Sequence, residues 1–245
     1  MNQTATRLKC ANCPIRYRAV CSDCEPDEMA LLEQMKYYRH YETGQMIHWA
    51  RDDMPFVASV VTGVATLSQT LQDGRTQMLG LLLPSDFIGR PGRRTSPFDV
   101  TAVSDVTLCC FQRKPFEQLM ISTPHVSDRL LAMTLDELDA AREWMLILGR
   151  KSAREKIASF LAILARRAAM AVPTPDSGPT VVDLVLTRAK MADYLGLTLE
   201  TVSRQLSALR AEGVIVLEGH RRVVIPVLRR LLQDTGDDTD GVIAG

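Results

Sequence analysis

Residues 10–24 read CANCPIRYRAVCSDC, and four of the six cysteines of this 245-residue chain stand in them: Cys10, Cys13, Cys21 and Cys24. Thiols at that density can close disulfides, hold a zinc ion, hold an iron–sulfur cluster or cycle as a redox pair. The two C-x2-C pairs have the form of paired metal knuckles, and on that pattern alone a four-thiolate zinc site is favoured. The other two cysteines, Cys109 and Cys110, are adjacent in VTLCCFQRKPFEQL. Neighbouring side chains of a strand point to opposite faces, so one of the pair can meet the N-terminal loop while the other is a buried apolar residue. The N-terminus MNQTATRLK lacks an apolar signal core, and no apolar run is long enough to span a membrane. A cytoplasmic protein with no membrane partner is expected. In a reducing cytosol, clustered cysteines read as metal or redox groups before disulfides.

A second chemistry lies in LTRAKMADYLGLTLETVSRQLSALRAEGVIVLEGHRRVVI, residues 186–225. Thr187 can cap a short helix, Gly196 a tight turn, and Thr198 a second helix that Gly213 ends. Two short helices across a glycine-centred turn form a helix-turn-helix. The following VIVLE, Gly219-His220 and RRVVI read as a β-hairpin wing. Glu200, Ser203 and Arg204 stand near the start of the second helix, the end that enters the major groove. Arg can take guanine bidentately, Glu can accept from cytosine N4, and Ser can reach either kind of edge. Arg188, Lys190, Thr198, Arg210, Arg221 and Arg222 are the candidate phosphate contacts. Glu200 and Arg204 are also spaced for an ordinary i,i+4 ion pair; the complete motif outweighs that reading. No phosphate loop, catalytic triad spacing or paired carboxylates appear, and the C-x2-C pairs lack a thioredoxin-like setting, so an enzyme is not expected.

These residues need a scaffold. Lys+Arg and Asp+Glu each number 29, which argues against a nonspecific polycationic binder but leaves room for a local basic face. The length suits two domains. The expected class is α+β. Residues 1–27 form a Cys-rich segment without period. Residues 28–121 begin with a short helix at 28–38 and continue as close-spaced strands, with a hairpin at Asp73-Gly74, as in a β-roll. Residues 122–150 are a long helix, opened by Thr123-Pro124 and ended at Gly149. Its apolar residues Leu131, Leu135, Leu138, Ala141, Met145 and Leu148 recur at near-heptad spacing. Such a stripe often faces its own core, but between two domains it suits self-pairing into a homodimer. Residues 151–235 open with a capping box at Ser152–Glu155 and carry the winged helix-turn-helix. A Pro/Ser/Gly-rich loop spans 172–180, and 236–245 is expected to be a disordered tail.

Over nearly its whole length the sequence resembles the CRP/FNR family of bacterial transcription regulators. MADYLGLTLETVSRQLSALRAEGVI is close to that family's signature, and ETVSR resembles the FNR branch. The resemblance implies a cyclic-nucleotide-binding-like β-roll, a long dimer helix and a winged helix-turn-helix, in that order. It also implies that Glu200, Ser203 and Arg204 read the palindrome TTGAT-N4-ATCAA, and that surfaces near Asp73-Gly74 touch RNA polymerase.

The effector is read by the same comparison. The cyclic-AMP-binding branch uses a Gly-Glu pair followed shortly by Arg-Ser or Arg-Thr. Here Gly89 is followed by Arg90, so the acidic partner of Arg94-Thr95 is missing and a cyclic nucleotide is not expected. Of the candidate haem ligands, His40, His48, His125 and His220 each read as surface or turn residues. The FNR branch instead holds a 4Fe–4S cluster on three N-terminal cysteines and one from the β-roll. Resemblance then implies ligands Cys10, Cys13, Cys21 and Cys109, with Cys24 and Cys110 as alternates, and an oxygen-responsive regulator. The spacing of the first three departs from the branch's best-known C-x2-C-x5-C and resembles its alphaproteobacterial types. The alternative is a zinc- or thiol-bearing DNA-binding regulator of the same fold that does not sense oxygen.

Overall fold

A computed structural model describes residues 8–171, 178–219 and 221–238. It comprises two compact units, residues 1–138 and 139–245, whose boundary falls inside one long helix.

In the first unit a turn-rich loop from Cys10 leads into α1 (Pro26–Met35). The helix starts earlier than 28 because Glu25 forms a capping box with Glu28, and Pro26 takes the first helical position. It stops at Met35 because Tyr37 and Tyr38 already belong to β1 (Tyr37–Tyr41), where aromatic residues suit a half-buried strand. The strands β2 (Met46–His48), β3 (Phe56–Thr62), β4 (Ala65–Thr70), β5 (Thr76–Leu82), β6 (Phe87–Ile88), β7 (Asp99–Ala102) and β8 (Val106–Gln112) follow. They form two four-stranded sheets, β1-β8-β3-β6 and β2-β7-β4-β5. The chain crosses between sheets at Gly63, whose φ is +80° and where a Cβ would stand 2.0 Å from the Asp105 carbonyl oxygen. Only glycine fits there.

Phe56, Ala58 and Val60 of β3 and Val106, Leu108 and Cys110 of β8 face the interior between the sheets. The alternate residues face outward without reaching water. Val57 and Phe111 pack with Val20, Cys24, Leu32, Phe116, Leu119 and Val126. Val61 packs with Ile15 and Ala19 of the cysteine loop. Two covered faces explain why β3 carries apolar residues on both sides, Ser59 apart.

After α2 (Arg113–Ser122) comes α3 (Pro124–Arg150), 27 residues or roughly 40 Å long. It continues through Gly149, beyond the expected stop, and ends where Ser152 opens α4 (Ala153–Ala171). The Ser152 N–H donates to Glu155 at 2.7 Å, the expected box. Among the described residues, no helix is long and apolar enough to cross a membrane.

The second unit adds β9 (Thr180–Asp183), α5 (Arg188–Leu195), α6 (Leu199–Ala211), β10 (Val216–Glu218), β11 (Arg222–Ile225) and α7 (Leu228–Gln233). The strands form one antiparallel sheet in the order β10-β11-β9. Lys151 holds Asp237 at 2.6 Å, so the packed unit runs past residue 235. Most of the 172–180 loop and residues 239–245 of the expected tail lie outside the described residues, as does His220.

Candidate functional site

Alternation along β8 turns its two cysteines to opposite faces. Cys110 is fully buried between the sheets. Cys109 is half-buried on the outer face, beside Cys13, Cys21 and Tyr38 and against Ile15, Ala19 and Val61. Cys109 stands directly across from Ser59 of β3 and Tyr38 of β1. Burial pushes the Cys109 thiol up, and the nearby sulfurs of Cys21, Cys110 and Cys13 push the same way. Cys21 is pushed up to about 11, first by burial, and is coupled to both Cys10 and Cys13. Cys13 is raised by burial and feels Cys10. Cys24, pushed up to about 12 by burial and next by the nearby Cys21 sulfur, packs into the cluster around Leu32 and Phe116, against which Cys21 and Cys109 also lie. The fold therefore brings Cys13, Cys21 and Cys109 to one patch, with Cys10 electrostatically close to Cys13 and Cys21, Cys24 in the adjoining cluster that also takes Cys21 and Cys109, and Cys110 behind the sheet.

The loop's shape rests on Arg16, whose guanidinium donates to the carbonyls of Cys21 at 2.7 Å, Ser22 at 2.8 Å and Cys24 at 3.4 Å. Lys36 donates to Cys10 Sγ at 3.1 Å and to the Leu8 carbonyl at 2.6 Å. Arg129 of α3 donates to the Arg18 carbonyl at 2.8 Å. None of these three was singled out by the sequence, because each partner is either a backbone carbonyl or a side chain far along the chain.

Among the described residues, no group of three or more His, Cys, Asp and Glu side chains is disposed to hold a metal ion. In a 4Fe–4S cluster each iron takes one cysteine, so the ligands need not converge on a single ion. The donor set fits such a group. The soft thiols of Cys13, Cys21 and Cys109 share one patch with Cys10 electrostatically near it, and among the described residues the buried Ser59 hydroxyl across from Cys109 has no hydrogen-bond partner. An orphaned buried donor of that kind is costly unless something accepts from it.

The histidines are elsewhere. His40 meets Thr107 at 3.0 Å and His125 meets Glu28 at 3.0 Å. His48 is buried in β2 rather than on the surface, and burial lowers its pKa. Arg94 pairs with Asp53 at 3.3 Å and lines a cleft of about 680 Å³ with Arg39, Arg113 and Lys114.

In the second unit Thr187 and Thr198 cap α5 and α6 as expected, accepting from Lys190 and Thr201 N–H. Gly196, at φ +61°, makes the turn between them. Val202, Leu206 and Leu209 bury one face of α6 completely, each worth about 1.5–3 kcal/mol. That leaves Glu200 and Arg204 exposed and Ser203 half-exposed on the opposite face. The Glu200–Arg204 ion pair allowed by spacing is not formed among the described residues. The carboxyl of Glu200 is held below its usual range by its own backbone N–H and the Thr198 hydroxyl, so it is an ionised acceptor. Lys190, Arg210, Arg221 and Arg222 are exposed, and Arg188 is half-buried. Arg222 lies 3.4 Å from Glu218 across the wing. The Thr198 hydroxyl also lies 3.1 Å from the Thr201 hydroxyl. Arg154 ties the motif to its base, bonding Glu212 at 2.6 Å and Asp234 at 2.8 Å. On α3, Trp144 stacks on Tyr194 at 4.0 Å.

Residues 38–123 match the cyclic nucleotide-binding domain family, and residues 155–233 match the Crp-like helix-turn-helix domain family. The chain is 65% identical to the transcriptional activator protein FnrL of Cereibacter sphaeroides, covering 95% of this chain and 94% of the relative. It is 35% identical to the nitrogen fixation regulation protein FixK of Bradyrhizobium diazoefficiens, covering 85% and 86%. The solved structure of FixK2 from Bradyrhizobium japonicum superposes with a TM-score of 0.74 at 32% identity, covering 83% of this chain and 98% of that one.

Proposed function

Because this chain belongs to the CRP/FNR family of transcription regulators, we propose that it is an oxygen-responsive activator carrying a 4Fe–4S cluster on Cys10, Cys13, Cys21 and Cys109. The observation that carries the reading is the outward turn of Cys109 into the apolar cluster that also contains Cys13 and Cys21. A bound cluster supplies an oxygen-labile bridge between the cysteine loop and the β-roll. The chain's own residues do the rest. Arg16 gathers the loop carbonyls, Arg129 fastens that loop to α3, and α3 offers an apolar stripe to a second copy. A two-fold dimer presents two α6 helices to half-sites one helical turn apart. Glu200, Ser203 and Arg204 read TTGAT-N4-ATCAA, and Arg188, Lys190, Arg210, Arg221 and Arg222 hold phosphates. Activation follows contact of the dimer with RNA polymerase, the hairpin at Asp73-Gly74 being one surface for it; the name of the 65%-identical relative supports activation.

The test is anaerobic binding to a labelled TTGAT-N4-ATCAA duplex, repeated after exposure to air. Tight anaerobic binding that weakens in air is expected. Equal affinity in both conditions contradicts the oxygen response and leaves a constitutive binder with zinc or free thiols. No preference for this palindrome over a scrambled duplex contradicts the assigned target.

A further inference from the structure

We propose that Lys36 is a positioning residue that hydrogen-bonds and charge-compensates the Cys10 ligand sulfur, and so sets how readily the cluster is oxidised. The inference rests on the cluster reading above. The Lys36 side chain is only 6% exposed, although lysine ammonium groups almost always reach water. Its Nζ lies 3.1 Å from Cys10 Sγ and 2.6 Å from the Leu8 carbonyl oxygen. Tyr38 donates to that same carbonyl at 3.2 Å, and its ring lies 5.5 Å from Nζ. Among the described residues Glu33 is the carboxylate paired with Lys36, at 3.7 Å, and is 41% exposed. It is also bonded by the Cys10 N–H at 3.4 Å. A buried ammonium needs a close anionic partner. The Cys10 sulfur is nearer than Glu33 and becomes that anion as a ligand thiolate.

Lys36 comes from the end of α1, whereas Cys10 belongs to the loop before it. The contact therefore pins the first ligand to the sheet-side scaffold instead of to its neighbours in sequence. Hydrogen bonds and positive charge at ligand sulfurs favour the more electron-rich state of an iron–sulfur centre. One-electron oxidation of a bound cluster by dioxygen would leave superoxide, and the Lys36 ammonium beside the Cys10 sulfur would oppose loss of that electron.

Full-length Lys36→Met, Lys36→Gln and Lys36→Arg proteins, prepared without oxygen, test this. Iron and sulfide content, the midpoint potential and the bleaching rate of the visible band in air are read for each. Lys36→Met is expected to bleach on the order of tenfold faster, the rate equivalent of one charge-assisted hydrogen bond. Its potential is expected to be lower, with Lys36→Arg nearer the parent. A loaded Lys36→Met protein with the parent's rate and potential overturns the proposal. If Lys36→Met does not load, recovery in Lys36→Arg alone supports the proposal, and any other pattern overturns it. A parent protein without iron and sulfide refutes the cluster reading itself, an outcome distinct from all of these.

Discussion

Cys109 and Cys110 share a peptide bond and face opposite sides of one sheet, so serine at each position gives opposite results. Cys109→Ser should abolish the visible iron–sulfur absorption of anaerobic protein. Cys110→Ser should keep it while lowering stability by about 1–3 kcal/mol, because a hydroxyl replaces a thiol in a buried and mainly apolar cluster. The converse pattern moves the fourth ligand. At the DNA face, Arg204→Ala should cost on the order of 1–3 kcal/mol and relax preference at one base pair. A uniform loss over all sequences makes Arg204 a phosphate contact. Residue placement at this scale was readable from the chain: strand alternation puts Cys109 and Cys110 on opposite faces, and helix period separates Arg204 from Leu206. Lys36, Ser59 and Arg129 were not readable. Their roles depend on partners 26, 50 and 111 positions away, which no local pattern encodes.

The helices α1 and α3 are joined by the His125–Glu28 pair, and its two pKa shifts define a pH window. The hydrogen bond to Glu28 and its charge raise His125, with Glu25 and Asp128 adding to it. The same bond and the Glu25 backbone N–H lower Glu28, against the opposing charge of Asp27. The raised histidine stabilises fully below its ordinary 6.5 and loses this as pH rises through its folded value. The lowered glutamate stabilises fully above its ordinary 4.5 and loses this as pH falls through its folded value. The melting difference between the parent and His125→Gln should therefore be greatest between about pH 4.5 and 6.5 and shrink on both sides. A difference independent of pH assigns His125 to packing alone. Element type was legible wherever the pattern was long or capped, as in α3, α6 and the Asp73-Gly74 hairpin. Ends were less so. Gly149 reads as a stop but has no positive φ and stays helical, while the Tyr37-Tyr38 pair ends α1 early by joining a sheet whose other strands lie far along the chain.

At the scale of the whole molecule, the proposed dimer rests on the exposed stripe of α3. Leu131, Leu135, Leu138 and Met145 are 59%, 53%, 45% and 73% exposed, whereas Ile147 on another face is fully buried. Covering a leucine contributes about 1.5–3 kcal/mol. Leu135→Glu should shift the anaerobic protein from dimer to monomer in sedimentation and remove tight binding to the full palindrome. A persistent dimer places the interface elsewhere. The order of the two units was legible from texture, but their boundary was not. Sequence pattern sets α3 apart as a helix of its own, yet Val126 packs with the first unit while Trp144 stacks within the second.

The measurement that bears most directly on the whole account is a visible absorption spectrum of anaerobically purified protein before and after air, with iron, sulfide and zinc assayed on the same sample. The account predicts a brown protein with about four iron and four sulfide per chain that bleaches in air. A colourless protein holding one zinc and unchanged by air would contradict it.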